Sequence, residues 1–373
     1  MPDSNKSTIV IASVLKPVDD SRMYEKLAYT LSNTDQFQVH IIGVASSIIQ
    51  NPNIIQHPFP PFRRISFGRL MAPWRIFFRA LRLKPDILII TTHELLYLAL
   101  FVKLVMKCKI IYDVQENYYW NILYTDAFPS LLKPFIALYV RGKETITSKL
   151  VDHFFLAEKG YETELYFPGK NKTVLENKVQ IPASERKPGG PVQTGKTTRL
   201  LFSGTLAEST GVFTAIDLAV KLHIIDERFK LIIIGFCAQQ SVLDKIQRLI
   251  RPRPFIQLVA RDSPVPHTEI FAEIKRADFG VITYQINPST MNSIPTKLYE
   301  YLGCRLPILL INHKPWVDVC HPFSAAVIFD PATLDTVSIC KQMMEKNFYP
   351  VDPSDVYWES EAPKLLQAIR AML

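Results

Sequence analysis

Short β-branched runs alternate with amphipathic stretches along most of the chain, in two separate series, and that alternation leaves few folds open. The runs Thr8–Val14, Val39–Val44, Asp86–Thr91, Lys109–Asp113 and Val151–Leu156 read as strands, with helical periodicity in Arg22–Leu31 and Glu94–Met106 between them. The pattern stops in a Pro/Gly-rich polar stretch, residues 181–198, which has the composition of a linker. A second series follows: Arg199–Ser203, Lys230–Gly235, Phe255–Ala260, Phe279–Thr283, Leu306–Ile311 and Ala326–Phe329. Repeated strand–helix–strand units predict an α/β chain with two Rossmann-like parallel-sheet domains. A length of 373 residues agrees, because a single hydrophobic core normally splits before this size. The expected division is an N-terminal domain over 1–180, the linker, a second domain over 199–350, and a C-terminal helix over 351–373 that crosses back to the first.

Several classes drop out. Five scattered cysteines with no C-x-x-C pair argue against a disulfide framework and a thiolate zinc site, and suit a reducing compartment. The apolar run Ile9–Leu15 is too short and wrongly flanked for a secretion signal, and Leu95–Met106 falls short of a bilayer span. A cytoplasmic protein is expected. Neither a G-x-G-x-x-G fingerprint nor a P-loop is present, which removes hydride transfer and ATP hydrolysis from consideration.

The formal net charge is +8, and residues 1–180 hold most of it, 22 basic against 16 acidic residues. An anionic partner is implied. Within His57–Lys84 the residues Arg63, Arg64, Arg69, Arg75, Arg79, Arg82 and Lys84 stand without an acid and interleave with aromatic rings. A helix over Gly68–Leu83 would set Arg75, Arg79 and Arg82 along one stripe and Leu70, Trp74, Phe77 and Leu81 along another. Such a helix suits an anionic membrane surface, with Arg63, Arg64, Trp74, Arg75 and Arg79 as contacts. It equally suits a surface helix packed on its own sheet. No recognition-helix or aromatic-strand motif supports nucleic acid as the partner.

In doubly wound sheets ligands bind beyond the carboxyl ends of the strands, so the loops there carry the chemistry. The segment Asn292–Pro307 predicts a short helix with Pro295 in its first turn and Gly303 at its end. Lys297 and Glu300, at i and i+3, share a face while Leu298 and Leu302 turn inward. A helix N-terminus beside an ammonium meets a phosphate, and a carboxylate accepts from a sugar diol. A plain surface ion pair is the other reading.

The pattern N-x-x-P-x-K-x-x-E-Y-x5-P, after a strand ending at Tyr284, resembles the donor-site signature of GT-B glycosyltransferases of the retaining, nucleotide-sugar-dependent family 4. The run Leu201–Phe213, with its glycine-containing turn, is similar to the family's first strand and loop of the donor domain. Ile232–Gly235 and Trp358-Glu359, read as part of the last helix, continue the similarity, as does Tyr112–Asn117 more weakly. The resemblance implies two lobes facing across a cleft. It implies a hexose-type sugar moved from a UDP- or GDP-linked donor to a saccharide acceptor. A lipid-linked saccharide as the acceptor would explain the basic, aromatic segment Arg63–Lys84, with the protein peripheral on the inner face of the plasma membrane and a surface polysaccharide or glycolipid as the product. The resemblance makes Glu300 the ribose ligand and Lys297 a diphosphate contact, with Gly204, Thr205, Tyr284, Asn292, Pro295 and Thr296 completing the donor site.

The departures matter. Asn292 stands where relatives carry a first glutamate, Thr205 and Thr210 where an Arg and a Lys grip the diphosphate, and Gln115 where a His approaches the sugar. Lys297, Arg22 or Arg261 are the replacement cations to consider. Lys297 stabilises the leaving diphosphate, no metal is required, and a base, if the enzyme inverts, would be Glu116, Asp20 or His93. Asp20 and His93 are equally suited to capping the helices they precede. A sugar-nucleotide epimerase of the same shape and a GT-B scaffold that binds without turnover remain open. The donor assignment requires Lys297 and Glu300 to project into the crevice; it fails if they are buried against each other.

Overall fold

The computed structural model describes residues 6–46, 51–62, 66–125, 128–165, 167, 171–183, 186, 197–261 and 265–373. The chain divides into two compact units, Met1–Gln180 with Trp358–Leu373, and Ile181–Tyr357.

The first unit holds β1 (Ser7–Pro17), β2 (Phe37–Val44), β3 (Ile54–Phe59), β4 (Ile87–Ile90), β5 (Lys109–Val114), β6 (His153–Leu156) and β7 (Asn171–Val174). They form one seven-stranded sheet in the order β3-β2-β1-β4-β5-β6-β7, and every pair is parallel. Central strands of such a sheet are covered on both faces and read as continuous apolar runs, which is why β4 is Ile-Leu-Ile-Ile with all four residues buried. Alternate residues of β1 feed two cores: Val10, Ala12 and Val14 on one face, Ile9 and Ile11 on the other. Strands β3 and β7 escaped the sequence reading, and both lie at sheet edges. Edge strands are short and polar or carry proline, as Pro58 in β3 and Asn-Lys-Thr-Val in β7 show.

The helix Phe67–Leu83 starts on Ser66, whose Oγ accepts from the Arg69 N–H, and stops at Lys84 in the left-handed region. Its buried face is Ala72, Ile76, Phe77 and Ala80. The apolar stripe divides: Phe77 packs on the sheet, while Leu70 and Trp74 are exposed beside Arg75, Arg79 and Arg82. The opposite face of the sheet is closed by the C-terminal helix Ala362–Arg370, through Leu365 and Ile369. Trp358 and Glu359, expected in that helix, form a separate 3-10 turn before it, where the Trp358 indole donates to Thr30 Oγ1 at 2.8 Å.

The second unit holds β8 (Thr198–Thr205), β9 (Phe229–Phe236), β10 (Ile256–Arg261), β11 (Phe279–Ile282), β12 (Ile308–Ile311) and β13 (Ala326–Phe329). Again all pairs are parallel, in the order β10-β9-β8-β11-β12-β13. Most of the expected linker, residues 184–185 and 187–196, lies outside the described residues.

Candidate functional site

From β8 the chain builds outward through β9 and β10, then returns to the other side of β8 to place β11. The carboxyl ends of β8 and β11 therefore flank a topological switch point, the place where open α/β sheets bind ligands. At the end of β8, Gly204 has φ +111, and the neighbouring Gly235 comes so close that a Cβ there would stand 1.7 Å from the Gly204 carbonyl. Only bare backbone fits both positions. The loop that follows is held internally: Thr210 Oγ1 donates to the Thr205 carbonyl at 2.8 Å and accepts from the Ala207 N–H at 3.1 Å. Thr210 is thus a staple of this loop, while Thr205 is exposed. Gly211, φ +78, opens the helix Val212–Ile225 against β11, its carbonyl accepting from Thr283 Oγ1 at 2.8 Å.

After β11 comes Tyr284, then a turn, then the helix Thr296–Gly303. Pro295 is its N-cap rather than a first-turn residue. Leu298 and Leu302 are buried, which turns the face bearing Lys297 and Glu300 toward the end of β8. The Lys297 Nζ donates to Glu300 Oε2 at 2.7 Å, and His267 Nε2 lies 3.4 Å from Glu300 Oε1. Burial opposes ionisation of Glu300, but the adjacent ammonium, with His267, outweighs it and holds the carboxyl down at about 2. Burial, with the Glu300 charge, pushes the Tyr284 phenol up to about 12.

This pairing corrects the sequence reading at its most exposed point. Lys297 and Glu300 are not two free groups; they are largely buried and paired with each other, the condition named above as fatal to the donor assignment. Neither group presents an unpaired charge to a ligand. What stands is position: the pair lies at the switch point, against the Gly204 turn.

The remaining donor candidates spread along this edge. Asn292 and Thr296 are exposed, and Tyr284 is partly buried, edge-on to Trp316 with ring centroids 6.1 Å apart. Three residues that the sequence reading missed join them. His267 begins the helix after β10, while His313 and Trp316 follow β12, their ring centroids 4.3 Å apart. The His313 Nδ1 is buried without a hydrogen-bond partner, and the Trp316 indole donates to the Ser293 carbonyl at 2.7 Å. Their positions just past strand ends were the available signal. Arg261 is paired with Glu269 at 2.7 Å.

In the first unit the switch point lies between β1 and β4. Asp20, offered as a base, is a cap: its Oδ1 accepts from the Arg22 and Met23 N–H groups, both at 3.1 Å, and Lys16 lies 3.4 Å from Oδ2. The turn it caps, Ser21–Ala28, is π-helical. Arg22, offered as a replacement cation, is fully buried and bonded to both oxygens of Asp113, with a further bond to the Leu175 carbonyl. Gln115 joins that network, donating to Asp113 Oδ2 at 2.7 Å. His93 hydrogen-bonds Lys143 at 2.8 Å, and burial lowers its pKa to about 4, so it is neutral near pH 7. Glu116 remains exposed in the loop after β5, accepting from Asn121 Nδ2. Trp74, Arg75 and Arg79 are exposed on their helix, whereas Arg63 and Arg64 lie outside the described residues. No helix among the described residues is long and apolar enough to cross a membrane.

Comparison with solved structures matches this architecture over nearly the whole chain. The fold is GT-B. Sucrose-phosphate synthase from Thermosynechococcus elongatus aligns with a TM-score of 0.73 at 12% identity, covering 98% of this chain and 99% of its own. The Anabaena protein HepE, in complex with UDP-glucose, aligns at 0.68 and 10% identity, covering 98% and 99%. The lipopolysaccharide outer core galactosyltransferase WaaB aligns at 0.61 and 14% identity, covering 98% and 100%. No protein-family profile and no curated protein matches the chain by sequence.

Proposed function

We propose that the chain is a glycosyltransferase of the family 4 type, moving a hexose-type sugar from a UDP- or GDP-linked donor to a saccharide or lipid-linked saccharide in surface polysaccharide or glycolipid synthesis. The observation that carries the reading is the bare-backbone turn at Gly204, at the switch point of the second unit, with Lys297 resting against it; the closed Lys297–Glu300 pair counts against the reading. Its similarity in fold to HepE, solved with UDP-glucose, and to the galactosyltransferase WaaB supports the choice of chemistry. Five free cysteines, four of them buried, suit a reducing cytoplasm.

In this reading the second unit takes the donor and the N-terminal unit the acceptor. The diphosphate lies at the start of the helix Thr296–Gly303, where the helix dipole and the Lys297 ammonium meet its charge. Lys297 has two further N–H groups to offer while it stays bonded to Glu300. Glu300 turns its other oxygen, now facing His267, to the ribose diol. As the bond from the anomeric carbon to the diphosphate breaks, charge grows on the phosphate oxygens, and donors already in place stabilise it. The acceptor hydroxyl forms the new bond and gives its proton to the departing phosphate, so neither an enzyme carboxylate nor a metal ion is needed.

The closed Lys297–Glu300 pair, with threonines at 205 and 210, favours one rival: a GT-B scaffold that binds a nucleotide-sugar without turnover. A thermal-shift screen of UDP-glucose, UDP-galactose and GDP-mannose, followed by product analysis, decides between them. A donor at a hundred times its Kd stabilises the native chain by about 2.7 kcal/mol. Stabilisation with transfer supports the enzyme and stabilisation without transfer or hydrolysis supports the scaffold. No stabilisation by any nucleotide-sugar overturns both.

A further inference from the structure

We infer that the helices Phe67–Leu83, Leu96–Met106 and Lys133–Ser148 of the first unit form one face that docks on an anionic lipid bilayer. More than half of the exposed large apolar side chains among the described residues fall between Phe67 and Leu150. Each helix contributes: Leu70 and Phe78 from the first, Phe101 and Leu104 from the second, Phe135 and Leu138 from the third, with Leu104 78% and Phe135 73% exposed. Isolated surface apolar residues are ordinary, but a concentration of this kind marks an interaction surface.

The three helices are joined into one surface. Phe77 of the first packs edge-on to Phe78 and tilted against Phe101, with centroids 5.3 and 5.7 Å apart. Lys143 of the third lies 5.8 Å from the Tyr97 ring of the second and 5.6 Å from Tyr139 of its own helix.

Charge selects the occupant. Glu144 is the sole carboxylate in these three helices, and it is buried, accepting from the Tyr112 hydroxyl at 2.8 Å. Arg75, Arg79 and Arg82 are exposed along the first helix, while Lys107 and Lys149 are exposed just past the ends of the other two. A second copy of the chain would bring like charges together on this face, whereas a bilayer bearing anionic headgroups accepts rings and leucines into its interface and holds the cations at its surface. The face supplies what the basic helix alone lacked, an apolar surface broader than one helix.

Docking is independent of sugar transfer; only its corollary, that the acceptor is lipid-linked, rests on the transfer reading. The test is co-sedimentation without donor, using phosphatidylcholine vesicles with and without about one-third phosphatidylglycerol. The native chain is expected to bind the anionic vesicles and to be released by high salt. The triple variant Leu70→Gln, Leu104→Gln, Leu138→Gln and the double variant Arg75→Glu, Arg79→Glu are each expected to bind about tenfold or more weakly with an unchanged melting temperature. A readout in the folded native chain guards against misfolded variants: brominated lipid should quench its indole emission, and Trp74→Phe should remove most of that quenching. Failure of the native chain to bind anionic vesicles overturns the inference. So does unaltered binding by both variants, or a dimer that the triple variant dissociates.

Discussion

The Cε of Lys297 lies 3.0 Å from the position that a Cβ on Gly204 would occupy, so this lysine rests on bare backbone at the end of β8. Gly204 is also at φ +111, where an L side chain is strained. The Gly204→Ala variant is therefore expected to lose about 1–3 kcal/mol of stability and to displace the ammonium. Chemical denaturation measures the first effect, and nucleotide-sugar thermal shift the second.

Lys297→Ala removes the main group holding the Glu300 carboxyl down and leaves His267 facing it. Donor-induced stabilisation should disappear, while Lys341→Ala, in the helix Thr336–Glu345, retains it. Equal shifts in both variants would remove Lys297 from the site. The pH dependence has a defined sign. Because the Glu300 pKa is lowered on folding, its ion pair contributes fully above the ordinary carboxylate value and fades as pH falls toward about 2. The stability gap between the native chain and Glu300→Gln should narrow in acid and not in base.

Arg22 and Asp113 are a structural pair, both buried and bonded in fork geometry. Asp113→Asn or Arg22→Met strands one charge in the interior, at a cost of about 3–5 kcal/mol. Replacing both with apolar residues should cost less than the two single losses together. Urea denaturation of the three variants measures this.

Glu144 has the opposite pH signature from Glu300. Burial raises its pKa to about 7, against the hydrogen bond from Tyr112, so folding favours its protonated form. Its contribution is present below the ordinary carboxylate value and is lost as pH rises through 7. Relative to Glu144→Gln, the native chain should lose on the order of 3 kcal/mol between pH 4 and pH 8. Melting curves at both pH values check it; a gap that does not change with pH would place the ionised carboxylate in that interior.

Much of the fold was legible because parallel strands buried on both faces need continuous apolar runs, and β1, β4, β9 and β12 show them plainly. The edge strands β3 and β7 were not, since one side of each has no strand to pair with and the run is diluted. In the candidate site the i, i+3 spacing already placed Lys297 and Glu300 on one face, but not whether they would meet a ligand or each other.

By itself the sequence determined the local spacings: where most strands and helices fall, and that Leu298 and Leu302 turn inward. Those follow from backbone geometry within a few residues. Tertiary structure alone decided that His267 faces Glu300, that Arg22 spends its charge on an aspartate 91 positions away, and that Leu70 and Trp74 face outward. Such pairings depend on which elements become neighbours, and charges buried by that packing take whichever partner lies within hydrogen-bond reach.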